Sequence, residues 1–127
     1  MAAEYVSRAA RYVPCTVEQF VSEEALLGWL DTRTGRTTAT LIVFDRMGKP
    51  LASEEFAAQL RRLRDAGAQM VVLAIGPADG WSAKARARAD LLISFGPITL
   101  PHELARVVLA EQIYRALTTL RGHPYPR

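Results

Sequence analysis

The chain has 127 residues, half of them hydrophobic and 23% charged, which suits one domain around one core and is too apolar for a disordered chain. A formal net charge of +3 is compatible with nucleic acid, but a solvated surface explains it equally well. Every apolar run is too short for a membrane span, Met1 to Arg11 lacks the apolar stretch of a signal peptide, and the single cysteine, Cys15, excludes an intramolecular disulfide and a Cys-built metal site; no metal and no membrane partner are expected, and the expected location is cytoplasmic.

Tyr5 to Tyr12 reads as a helix with Tyr5, Val6, Ala9 and Ala10 on one side and Arg8 and Arg11 on the other. Val13 to Phe20 is partly β-branched and predicts a short strand. Ser22 is placed to cap a helix with Glu23 and Glu24 in its first turn and an apolar stripe of Leu26, Leu27 and Leu30. Thr32 to Thr38 reads as a polar loop. Thr40 to Phe44 is an unbroken apolar run ending at Asp45, the pattern of a strand covered on both faces in a parallel sheet.

Ser53 is the expected cap of the next helix, whose first turn holds Glu54 and Glu55, whose last turns hold Arg61, Arg62 and Arg64, and which Gly67 stops. Met70 to Ile75 predicts a second buried strand, followed by the loop Gly76 to Gly80. Ser82 caps a short helix from Ala83 to Ala89, and Leu91 to Phe95 is a third strand. After the loop Gly96 to Pro101, a long helix runs from about His102 to Leu120. Alternating strands and helices predict an α/β fold with a mostly parallel sheet and flanking helices, in a single domain over residues 1–127.

In such sheets ligands collect beyond the C-terminal ends of the strands. Three ends qualify: Phe44-Asp45, Gly76 to Gly80, and Phe95 to Pro101. A strand-to-helix turn that needs glycine is the plainer account of Gly76 and Gly80, and the chain has neither GxGxxG nor a Walker loop. The loop Gly96-Pro97-Ile98-Thr99-Leu100-Pro101 is apolar and flanked by prolines, suited to offering backbone N–H and C=O groups to an adenine ring. A lone His such as His102 is more often a structural donor than a catalyst. Glu111 four residues before Arg115 is enough to explain both as a helix-surface ion pair. His123, Tyr125 and Arg127 form a polar tail that reads either as a solvated terminus or as groups that stack on bases and pair with phosphates.

Several pieces in order, Ile75-Gly76…Gly80-Trp81-Ser82, Thr99-Leu100-Pro101-His102, Glu111-Gln112-Ile113-Tyr114-Arg115-Ala116 and His123-Pro124-Tyr125, closely resemble the ribosomal large-subunit methyltransferase H (RlmH) group of the SPOUT class. The resemblance extends from about Ala3 to Arg127 and is most specific after residue 90. It implies a C-terminal trefoil knot, S-adenosylmethionine bound in a bent pose, a homodimer, and methylation of N3 of a pseudouridine in large-subunit (23S) rRNA, alone or in an assembled ribosome. Carried over position by position, it assigns cofactor contacts to Phe44, Gly76, Phe95, Gly96, Pro97, Ile98, Thr99 and Leu100, and chemistry or substrate positioning to His102, Arg115, His123, Tyr125 and Arg127. The tail is expected to complete the site across the dimer interface.

The chain departs from the family in three ways. The family's N-terminal strand is expected to be missing, Pro77 stands where the family has a second glycine, and Pro126 stands where it has a histidine. Those departures carry the competing expectation: a catalytically impaired SPOUT dimer that binds RNA or ribosomes without methylating.

Overall fold

A computed structural model describes residues 1–33, 39–76, 79–96 and 100–123. The apolar run around residues 40–44 forms the middle of the central strand, β1 (Ala39–Pro50). It pairs in parallel with β2 (Met70–Ile75) on one side and β3 (Leu91–Ser94) on the other, giving the order β2-β1-β3. The register with β2 runs from Ala39 opposite Met70 to Phe44 opposite Ile75. Asp90 locks β1 to β3 where they meet: its carboxylate accepts from Leu41 N at 2.7 Å, and its own N–H donates to Leu41 O at 2.8 Å.

Alternation along β1 divides the core in two. Leu41 and Val43, with Ala74, pack beside Leu26, Leu27 and Leu30 of α2 (Glu23–Thr32) and Ala85 of α4 (Ala83–Arg88). Ile42 and Phe44, with Ile93, pack beside Phe56 and Ala57 of α3 (Ser53–Asp65) and Leu109 and Ala116 of α5 (His102–Leu120). Leu41, Ile42 and Val43 have no exposed surface, which is why the strand reads as a continuous apolar run.

Local chemistry sets the helix ends. Ser22 accepts from Ala25 N at 3.1 Å and Ser82 accepts from Ala85 N at 3.2 Å, as their placement before acidic or helix-forming residues predicts. Ser53 does not cap α3. The cap position is Ala52, which has no acceptor, and the Glu55 carboxylate takes Ala52 N at 3.0 Å, half of a capping box. Gly67, at φ +87°, ends α3 in the left-handed turn expected of it.

Two expected elements differ more. Val13 to Phe20 forms no strand, and Val13, Val17 and Val21 are 44, 53 and 100% exposed. Among the described residues no strand lies beside this segment, and β-propensity without a partner ladder does not make a strand. Conversely, β1 continues past Asp45 to Pro50. Its pairing with β3 shifts between Phe44 and Lys49, so Lys49 and Pro50 face Ile93 and Ser94. Gly48 makes that irregularity possible, since a Cβ there would lie 2.6 Å from the Ile93 backbone.

α1 (Ala2–Ala9) ends earlier than its apolar pattern suggests and lies on α5. Tyr5 and Tyr12 meet Tyr114 with ring centroids 6.2 and 6.4 Å apart, and the Arg8 guanidinium sits over Tyr5 at 5.7 Å and over Tyr114 at 6.0 Å. The range of α5 matches the sequence expectation, although Leu104 on its first turn is 47% exposed.

Candidate functional site

Because all three strands are parallel, their C-terminal ends lie along one edge of the sheet. Phe44 of β1 stacks on Phe95, just past β3, with centroids 4.9 Å apart and planes 21° from parallel. Phe56 of α3 meets Phe44 edge-on at 6.5 Å. These rings form one wall of a cleft of about 260 Å³, whose other walls include Ser53, Ser94, Leu109 and Gln112. That volume falls just below the range of roughly 300–1,000 Å³ usual for small-molecule sites. Stacked aromatic rings with a few polar groups at the margin suit a flat heterocycle such as adenine.

The third strand end joins through Trp81. The buried indole donates from Nε1 to the Phe44 carbonyl at 3.0 Å, and a Cβ on Gly76 would lie 2.6 Å from its ring. The indole beside Gly76 leaves no room for a Cβ, so a glycine is required there without a positive φ. Gly96 is the opposite case: φ is +98° and the space around it is open, so conformation alone requires glycine. Ser94 Oγ accepts from Gly96 N at 3.1 Å and sets the first turn of the loop.

Below this edge, Asp45 is buried and paired. Its Oδ2 accepts from Arg86 Nε at 2.5 Å, and its Oδ1 accepts from Met47 N at 3.1 Å. Burial alone pushes the carboxyl upward, but the guanidinium and the amide outweigh it and hold Asp45 below the usual carboxylate range. Farther out, the Glu23 carboxylate accepts from both the amide and the hydroxyl of Ser82, joining the first turns of α2 and α4. Those two hydrogen bonds, the hydroxyl's foremost, lower its pKa.

The expected site residues fall into two groups. Phe44, Gly76, Phe95 and Gly96 converge at the strand ends, with half-buried Leu100 leading into α5; Pro97, Ile98 and Thr99 lie outside the described residues, as does Pro77. His102 is exposed at the first residue of α5. Arg115 pairs with Glu111 at 2.9 Å, the intrahelical bridge that their spacing predicts. His123 lies beyond the other end of α5, where its Nδ1 is 2.9 Å from the Tyr12 hydroxyl; Tyr125, Pro126 and Arg127 lie outside the described residues. The 19-residue helix is about 28 Å long at roughly 1.5 Å per residue. A single chain thus holds His102 and His123 at opposite ends of α5.

Sequence reasoning missed Trp81, Arg86 and Tyr12 as organisers of these ends. Asp45 left a signal, a carboxylate directly after four apolar residues, and Trp81 left another as a large aromatic directly before the helix cap Ser82. Arg86 and Tyr12 left none, because each acts on a residue more than forty positions away.

The family described as "Predicted SPOUT methyltransferase" matches residues 1–126. A relative from Koribacter versatilis, named ribosomal RNA large subunit methyltransferase H, is 50% identical over 122 residues, covering 96% of this chain and 83% of its own. One of the same name from Solibacter usitatus is 45% identical over 127 residues, covering 100% of this chain and 87% of its own. Another, from Brucella ovis, is 51% identical over 89 residues, 70% of this chain and 53% of its own.

Proposed function

We infer the activity from kinship and geometry together: this chain belongs to the SPOUT methyltransferase family, within its ribosomal RNA large subunit methyltransferase H group. It is an rRNA methyltransferase that takes its methyl group from S-adenosylmethionine. The acceptor we assign is N3 of a pseudouridine in the large-subunit RNA, and the working unit we assign is a homodimer. The C-terminal trefoil knot is implied by family membership and is not read from the described residues.

One observation supports the dimer above all. The cleft takes its α5 wall from Leu109 and Gln112 in the middle of the helix, whereas the histidine that starts the tail lies beyond the helix's C-terminal end, about 16 Å farther along its axis. The chain leaves α5 heading away from its own cleft, so we assign the tail at each cleft to a second copy. In a twofold dimer each chain supplies the cofactor half of one site and the tail half of the other.

Within that unit, we assign the stacked pair of Phe44 and Phe95 as one wall against which the adenine packs, with the backbone of residues 95–100 serving its polar edge. Bound there, S-adenosylmethionine supplies an electrophilic methyl group on a sulfonium. The tail residues Tyr125 and Arg127 hold the base in line and stabilise the anion left when N3 loses its proton, and His123 or water takes that proton. Positioning contributes more than a dedicated base. To Arg115 and exposed His102 we assign contacts that position the RNA substrate.

Two measurements test this reading. Calorimetry of the folded protein with S-adenosylmethionine gives one site per chain; a folded dimer that takes up no cofactor refutes the enzyme and leaves the non-methylating RNA binder. Mass spectrometry of large-subunit RNA from cells lacking the protein shows one pseudouridine losing a methyl group, and an unchanged modification pattern counts against the assigned substrate.

A further inference from the structure

The junction where α5 gives way to the tail is more elaborately built than a solvated terminus requires. Gly122, at φ +70°, reverses the chain, and two bonds close the helix: Gly122 N to Thr119 O at 3.0 Å and His123 N to Thr118 O at 2.9 Å. The second bond is the long closing bond of a Schellman turn. It folds His123 back over Tyr12, just after α1, with ring centroids 5.5 Å apart and the phenol oxygen 2.9 Å from Nδ1. Arg121 holds the same residue as well, donating to the Tyr12 carbonyl at 3.0 Å with its guanidinium 5.8 Å from the ring centre. Tyr12 thus receives contacts from two residues of the tail junction more than a hundred positions away in sequence.

We propose that Tyr12 is a positioning residue for His123: its phenol donates to Nδ1, so the neutral imidazole carries its proton on Nε2 and presents that nitrogen outward, toward the site of the second copy. Arg121 fixes the height of Tyr12 by anchoring its backbone. An imidazole with one nitrogen held keeps a single tautomer and orientation, which a side chain at an otherwise exposed turn would not. The inference rests on the role given above to the tail, and it assigns a function to the segment after α1 that the cofactor cleft does not use.

The test is Tyr12→Phe, which keeps the ring and removes the hydroxyl, compared with wild-type protein by two-bond ¹H–¹⁵N spectra. The chain has only two histidines, and His102→Ala assigns the signals. In wild-type protein His123 shows an acceptor-type Nδ1 and a protonated Nε2; in Tyr12→Phe the two nitrogens move toward an averaged tautomer mixture. Methyl transfer to ribosomal RNA falls about three- to tenfold in kcat, the range one hydrogen bond supplies, with affinity for S-adenosylmethionine unchanged. Arg121→Gln is an independent probe and moves the same spectrum and the same kcat. An unchanged His123 spectrum in both variants overturns the proposal, as does an unchanged kcat with a changed spectrum. If wild-type protein methylates nothing, the enzymatic reading fails by itself, and the spectra still decide whether Tyr12 sets the tautomer.

Discussion

Arg86→Met tests how the end of β1 is held. The Asp45 side chain is 1% exposed and the Arg86 side chain 25%, so the substitution leaves a nearly dry carboxylate without its cation. Stripping one partner from a fully buried pair costs about 3–5 kcal/mol. Arg86 is partly solvated and Met47 N still serves one oxygen, so a fair expectation here is about 2 kcal/mol. At this chain length that lowers Tm by roughly 6–10 °C. Methionine has nearly the helix propensity of arginine, so α4 itself adds little.

The pH dependence gives the sharper test. The folded-state pKa of Asp45 is depressed, so its contribution to stability is fully present above the unfolded value of about 3.9 and is lost as pH falls through the folded value. Urea unfolding of wild type and variant between pH 3 and pH 7 should show a wide gap at pH 7 that narrows below about pH 4. A gap smaller than 0.5 kcal/mol at pH 7, or one that stays constant across the range, refutes the reasoning.

Three other outcomes follow from the site. Gly76→Ala drives a methyl group into the Trp81 ring and costs about 1–3 kcal/mol, most of it recovered in the double variant with Trp81→Leu; a double-mutant cycle with no coupling would show that the indole does not dictate the glycine. His102→Ala keeps most of the methyl-transfer rate, because positioning outweighs a dedicated base; loss of turnover with cofactor binding intact would reverse that ranking. Removing residues 123–127 abolishes transfer while leaving the fold and S-adenosylmethionine affinity intact, and full activity in the truncated protein would take the tail out of the mechanism.

The parallel sheet was legible because burial on both faces leaves a direct mark: residues 40–44 and 70–75 have no polar side chain after Thr40, and each run fell where a strand forms. Ser22, Ser82 and Gly67 were legible because capping chemistry is local. Ser53 misled because the glutamate two residues later serves the residue before it. The segment 13–20 misled for the opposite reason, since a strand depends on what lies beside it and propensity says nothing about the neighbour. At the site, the aromatic stack of Phe44 on Phe95 was within reach once three strand ends were known to share an edge. The Asp45–Arg86 pair, the Trp81 hydrogen bond and the Tyr12–His123 contact were out of reach, because each joins elements whose proximity only the tertiary fold creates.

The central claim is that each active site draws its cofactor cleft from one chain and its tail from another. Mixing two inactive variants tests it most directly. One carries Gly96→Val, which strains the cleft loop at φ +98°, and the other ends at Gly122. After equal amounts are unfolded and refolded together, half of the dimers are mixed, and each has one intact site. Methyl transfer to ribosomal RNA should return to roughly a quarter of the wild-type rate. Both variants folding and pairing normally, with no transfer recovered on mixing, would contradict the account.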